Sequence, residues 1–175
     1  MPNNSILPAL PTGSDVFSEA VRSVNRRGFH DTVPIMARRA LLMAQCLRLA
    51  EEVGECAAMW HGRPGVFAPE LVDIAIVLAQ ISWLTEQQPG TATTAEHSRT
   101  VEGMAMAHGE LARAIIRCKS TYSEVNARVA EFNALLLDLA EARGIDIEQA
   151  IAYKLTEDEQ RGHLHGFQPI AEELA

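Results

Sequence analysis

The chain has 175 residues, enough for one domain or for two small repeats sharing a core. Hydrophobic residues make up 47% and aromatics only 5%, with Ala and Leu abundant, a balance that favours a helical globular protein. A formal net charge of −8 argues against a nucleic-acid backbone as partner, so a polyanionic ligand would need bound cations and a local basic cluster.

Residues 1–13 (MPNNSILPALPTG) are rich in Pro and Asn and read as a loose N-terminal segment. They lack the basic start of a signal peptide. Ser14 or Asp15 caps a first predicted helix that runs to about Arg27 and stops at Gly28. Asp31 or Thr32 caps a second, with Pro34 in its first turn, continuing to about His61, where Gly62 and Pro64 end it. Gly54 costs that helix roughly 1 kcal/mol relative to Ala, which suggests close packing or metal access there. Pro69 opens a third helix that is apolar almost all round, as expected at the centre of a bundle. Its longest apolar run, Ile74 to Leu84, is too short to span a bilayer and contains Gln80.

GTATTAE (90–96) reads as a linker. A fourth helix is predicted from about Ala95 to Cys118. Thr121-x-x-Glu124 has the spacing of a capping box for a fifth, which ends at Gly144, and Asp146 caps a sixth, IEQAIAYKLTEDEQR. No alternating strand pattern occurs. The prediction is an all-α bundle of five to six helices, one domain over 14–162 with an irregular tail at 163–175. Three cysteines (46, 56, 118), an odd number without metal-site spacing, fit reduced thiols and a soluble cytoplasmic protein.

The chemistry concentrates in two acidic groups, Glu51-Glu52-Val53-Gly54-Glu55 and Glu70-Leu71-Val72-Asp73. A carboxylate in apolar surroundings costs several kcal/mol unless a cation or donor compensates it, so converging carboxylates need a divalent metal. Glu52 and Glu55 are i,i+3, Glu51 and Glu55 are i,i+4, and Glu70 and Asp73 are i,i+3, so each group shares a helix face. Two helices packed antiparallel through a short loop set those faces opposite each other. Oxygen donors suit Mg²⁺ or Mn²⁺ rather than zinc. A di-iron carboxylate site would use Glu-x-x-His, and none of the six histidines (30, 61, 97, 108, 163, 165) has a Glu three residues before it. Hard cations held by carboxylates are the usual equipment for attack on a phosphoanhydride.

This EExxE…ExxD pair, with LAEEVGE leading into it, resembles the MazG-like all-α nucleoside triphosphate pyrophosphatases, a superfamily that includes dimeric dUTPases, dCTP pyrophosphatases and phosphoribosyl-ATP pyrophosphatase. GIDIEQAIAYKLTEDEQR is similar to the family's closing helix, and the likeness covers roughly 35–86 and 105–161. The resemblance implies hydrolysis of a (d)NTP or related nucleotide to the monophosphate and pyrophosphate, with Mg²⁺ (or Mn²⁺) on Glu52, Glu55, Glu70 and Asp73. Glu51 or Glu52 would act as base or orient the water. Lys154 and Arg161, seven residues apart on one face, would clamp phosphate oxygens. A nucleotide is then the implied partner, and a homodimer is admitted. Two departures stand out: Asp158 where the family usually has Asn, and some seventy residues between ExxD and the GID turn instead of about one helix.

An internal duplication would explain that gap. HGELARAI (108–115) lines up with VGECAAMW (53–60), and RVAEFNALLLDLAEARGID (128–146) with ELVDIAIVLAQIS (70–82). Glu110 then aligns with Glu55 and Glu131 with Asp73, while Met106, Ala107 and Arg128 replace Glu51, Glu52 and Glu70. The expectation is a metal-competent repeat over about 32–86, a linker at 87–96 and a degenerate repeat over about 97–161, in which Glu110 and Glu131 are salt-bridged or exposed remnants.

Plainer explanations compete at each position. The glutamates could form a solvated helix face, and Lys154 and Arg161 could be surface charges, with Asp158 an i,i+4 partner of Lys154. Trp60 and Trp83 could stack on a base or simply pack in the core. Phe29, His30 and Asn133 could also approach the pocket, and His163-Leu164-His165 reads as a surface segment. A non-catalytic helical module for nucleotide sensing or partner contact is the main functional alternative; phosphoribosyl-ATP hydrolysis is an alternative within the class.

Overall fold

Helix is the only regular structure among the described residues, as the absence of any alternating pattern requires. The computed structural model describes residues 16–26, 38–62, 67–85, 99–118 and 121–161, with side chains described up to 158. It contains α1 (Val16–Arg26), α2 (Arg38–Trp60), α3 (Phe67–Leu84), α4 (Val101–Arg117), α5 (Ser123–Ala142) and α6 (Ile147–Arg161). This is an all-α bundle, compatible with a MazG-like fold. The expected starts of the first two helices, and residues 28–34, lie outside the described residues, as do 87–96 and the tail at 163–175.

α3 is the axis of the bundle. It packs against α1, α2, α5 and α6, and every residue from Leu71 to Leu84 except Asp73 is buried. A helix surrounded on all sides has no use for a polar face, which is why its sequence carries none. By length and composition α3 would also pass as a membrane span, but most of that span is buried inside the bundle. It begins at Phe67, two residues before the expected start, so Pro69 falls within the first turn, where its missing N–H costs nothing.

Two antiparallel hairpins supply most of the rest of the core, and α1 and α6 add to it. α2 and α3 form the first, with Trp60 against Phe67 at the turn. α4 and α5 form the second. They stack through α2 on α4 and α3 on α5. Arg39 donates to the Ile116 carbonyl at 2.6 Å and His108 contacts the Cys46 carbonyl at 3.0 Å, so α2 and α4 run antiparallel. This arrangement does not by itself show a duplication.

Three local expectations change. α4 begins at Val101, not near Ala95, because Thr100 is the cap: its hydroxyl accepts from the Gly103 amide at 3.2 Å. The capping box at Thr121 does not form; α5 starts after Tyr122 without a side-chain cap, and the Thr121 hydroxyl lies 3.5 Å from that of Ser123. Close packing does not explain Gly54, since it is exposed and an added Cβ would meet nothing within 4 Å. The α5–α6 turn follows its prediction. Gly144 takes φ +66°, the Ile145 amide donates to the Ala140 carbonyl and the Gly144 amide to that of Glu141, a Schellman motif. Asp146 then caps α6 by accepting from the Gln149 amide at 3.0 Å.

Phe132 on α5 is fully buried, whereas Leu47 on α2 is 70% exposed. Phe132→Ala is expected to cost about 3–5 kcal/mol and Leu47→Ala less than about 0.5, read by urea unfolding. Equal losses would contradict the assigned core.

Candidate metal centre

The two helices of the first hairpin bring their acidic faces together. Ligand oxygens of Glu52, Glu55 and Glu70 all lie within 4.8 Å of one another. The register is that of an antiparallel pair, Glu55 across from Glu70 and Glu52 near Asp73. Glu52 is the buried member, 5% exposed; Glu70 is half-buried and Glu55 is exposed. Glu51 is exposed and lies outside this cluster. Glu70 and Asp73 are the only charges on α3, one helical turn apart at its N-terminal end, where the helix dipole favours anions.

Among the described residues, Lys154 and Arg48 reach the four carboxylates. Lys154 comes across from α6 and its Nζ lies 2.5 Å from Asp73 Oδ2, with both side chains largely buried. Arg48, one turn before Glu52 on α2, sits 3.4 Å from it. This does not neutralise the site. Burial, followed by the charge of Asp73, pushes the Glu52 carboxyl up to about 7. Burial, then the neighbouring Glu55, raises Glu70 as well. Several carboxylate oxygens, partly open to water, are the donor set a divalent hard cation takes.

The cluster opens into a cleft of about 790 Å³ between the start of α3 and α6. Glu55, Glu70 and Asp73 lie on one wall, and Tyr153, Lys154 and Glu157 on the other. This size is within the usual range for a small-ligand site.

The remaining expected residues are placed unevenly. Arg161 is the last residue of α6, and its side chain lies outside the described residues, as do Phe29, His30, His163 and His165. Asp158 is buried, and the ion pair of Lys154 runs to Asp73. Trp83 is 8% exposed within the core. The face of Trp60 is covered by the Arg143 guanidinium, 4.0 Å from the ring centroid, which also lies over Phe67. Asn133 is half-buried on α5 and is not part of the cleft lining. Arg48 and Tyr153 went unnoticed in the sequence. The i,i+4 spacing of Arg48 to Glu52 was the available signal for the first, whereas a lone Tyr on a polar helix gave none for the second.

In the second hairpin, Arg128 Nη1 lies 2.9 Å from Glu110 Oε2 and 2.6 Å from Glu131 Oε2. The two glutamates are thus held by a side-chain cation. Cys56 is buried and its thiol is pushed up to about 12, mainly by desolvation and then by Glu70, which leaves it unreactive. No protein-family model, curated protein or solved structure matches the chain.

Folded Glu52 keeps its proton to about pH 7, whereas the unfolded carboxyl loses it near 4.5. In the presence of EDTA, stability is therefore expected to fall as pH rises between those values. Glu52→Gln is expected to flatten this slope and to be the more stable chain above pH 7, by up to about 3 kcal/mol. Urea unfolding across pH tests this; parallel profiles would contradict it. In the second hairpin, Arg128→Gln is expected to cost about 1 kcal/mol after solvent screening, and adding Glu131→Gln to recover part of it. A double variant no more stable than the single one would contradict the ion-pair role.

Proposed function

We propose that the chain is a divalent-metal-dependent nucleotide pyrophosphohydrolase of the MazG-like kind. It would convert a nucleoside triphosphate and water to the monophosphate and pyrophosphate. One observation carries this: three carboxylates from two helices converge, and two of them, Glu55 and Glu70, line a substrate-sized cleft that Lys154 of α6 also lines. Glu52, Glu55 and Glu70 would hold the ion, with Asp73 beside them. A bound Mg²⁺ or Mn²⁺ would neutralise phosphate oxygens and lower the pKa of a coordinated water.

The chain's own residues have separate tasks. Glu52, the buried carboxylate of the cluster, is assigned the base or water-orienting role in preference to the exposed Glu51. Lys154 is already held over the carboxylates by Asp73, so its ammonium is positioned to meet an incoming phosphate oxygen. Arg161 is assigned to the same phosphates by resemblance alone. The three free cysteines support a reducing, cytoplasmic setting for this activity.

The test is a screen of the purified full chain against canonical and modified nucleotides with Mg²⁺ or Mn²⁺, with products identified. Pyrophosphate release is expected, falling roughly a hundredfold or more in Glu52→Gln and Asp73→Asn without loss of helical signal. No turnover of any nucleotide, together with a melting temperature unmoved by Mg²⁺, would favour a non-catalytic helical module instead.

A further inference from the structure

A nucleotide has a charged end and a flat aromatic end, and the cleft offers both charged groups and apolar surface. Its charged lining consists of Glu55, Glu70, Asp73, Asp146, Lys154 and Glu157. Apolar surface comes from Ala68, Pro69, Val72, Ile145 and Ala150. On α6, residues 149, 150, 153, 154 and 157 all line the cleft, as does the capping Asp146, so a whole stripe of that helix faces it. Tyr153 belongs to this stripe, is 68% exposed, and directly precedes Lys154.

The two tryptophans the sequence offers for stacking are otherwise engaged, Trp83 in the core and Trp60 beneath Arg143. Phe67 is covered by the same guanidinium, Phe132 is fully buried, and Phe17 and Tyr122 pack against the core. Among the described residues, Tyr153 is the aromatic side chain that lines the cleft. An exposed ring gains most when a second flat ring covers it, since stacking removes apolar area while the phenolic hydroxyl stays wet.

We infer that Tyr153 is the platform on which the base of the nucleotide stacks, one residue from the lysine that meets its phosphates. This rests on the proposed hydrolase function and deepens it. Because every base has a π-face, a stacking platform tolerates different bases, with purines favoured over pyrimidines by their larger overlap. The ligand class is therefore a nucleotide with an aromatic base, selected weakly for which base it is.

Inorganic tripolyphosphate carries the charged end without the ring, and so separates phosphate contact from ring contact. With Mg²⁺ and the nucleoside triphosphate turned over fastest by the wild-type chain, Tyr153→Ala is expected to raise KM roughly tenfold. Inhibition by tripolyphosphate should stay within about twofold of wild type in the same variant, since it makes no ring contact. Tyr153→Phe should restore the wild-type KM, since the ring is what stacks. A Tyr153→Ala variant that weakens both ligands equally, or neither, overturns the platform while leaving the hydrolase in place. A wild-type chain that takes neither ligand overturns both.

Discussion

Burying Glu52 beside Asp73, Glu55 and Glu70 is the constraint around which the first hairpin is built. Four carboxylates are brought together, and among the described side chains Lys154 and Arg48 reach them. Like charges in a partly desolvated site repel strongly, and an acid there can lower its energy by keeping its proton or by gaining a cation. The raised Glu52 and Glu70 show the first response in the chain alone. At the buried Glu52 and the half-buried Asp73 an apolar residue would avoid the desolvation cost, as the residues along the rest of α3 do. Retaining the charges makes sense if they are matched to something the chain binds.

The bundle serves that arrangement directly. α3 is enclosed by α1, α2, α5 and α6, which fixes Glu70 and Asp73 at the one end where the helix emerges from the core. The short α2–α3 connection sets the register that faces Glu55 toward Glu70. The Schellman turn at Gly144 and the Asp146 cap aim α6 back across α3, and that return brings Lys154 to Asp73. The two hairpins meet their acidic groups differently. In the first they face a cleft; in the second Arg128 sits between Glu110 and Glu131.

Much of this could be read from the residues. Periodicity and caps located six helices because helix termini carry local chemistry, as at Gly144 and Asp146. The apolar continuity of Leu71 to Leu84 identified the central helix, and the i,i+3 acidic spacings identified the faces that meet. The errors have equally local causes. Thr121-x-x-Glu124 has the spacing of a capping box, but the chain caps α5 without it, because a backbone turn can replace a side-chain acceptor. The start of α4 was set too early because Thr100 competes as a cap with a run of helix-compatible residues before it. Which tryptophan packs and which tyrosine lines a cleft depends on the angle between α6 and α3, a tertiary quantity that no local spacing encodes. The pairing of Lys154 with Asp73, 81 residues apart, was hidden for the same reason.

Direct titration of Mn²⁺ into the purified chain, followed by electron paramagnetic resonance, tests the central claim most closely. The expected result is about one tightly held ion per chain, abolished by Glu70→Gln and by Glu52→Gln, with Arg48 and Arg128 intact. Mn²⁺ that stays free in the wild-type chain, or binds equally well after both glutamates are replaced, would contradict it.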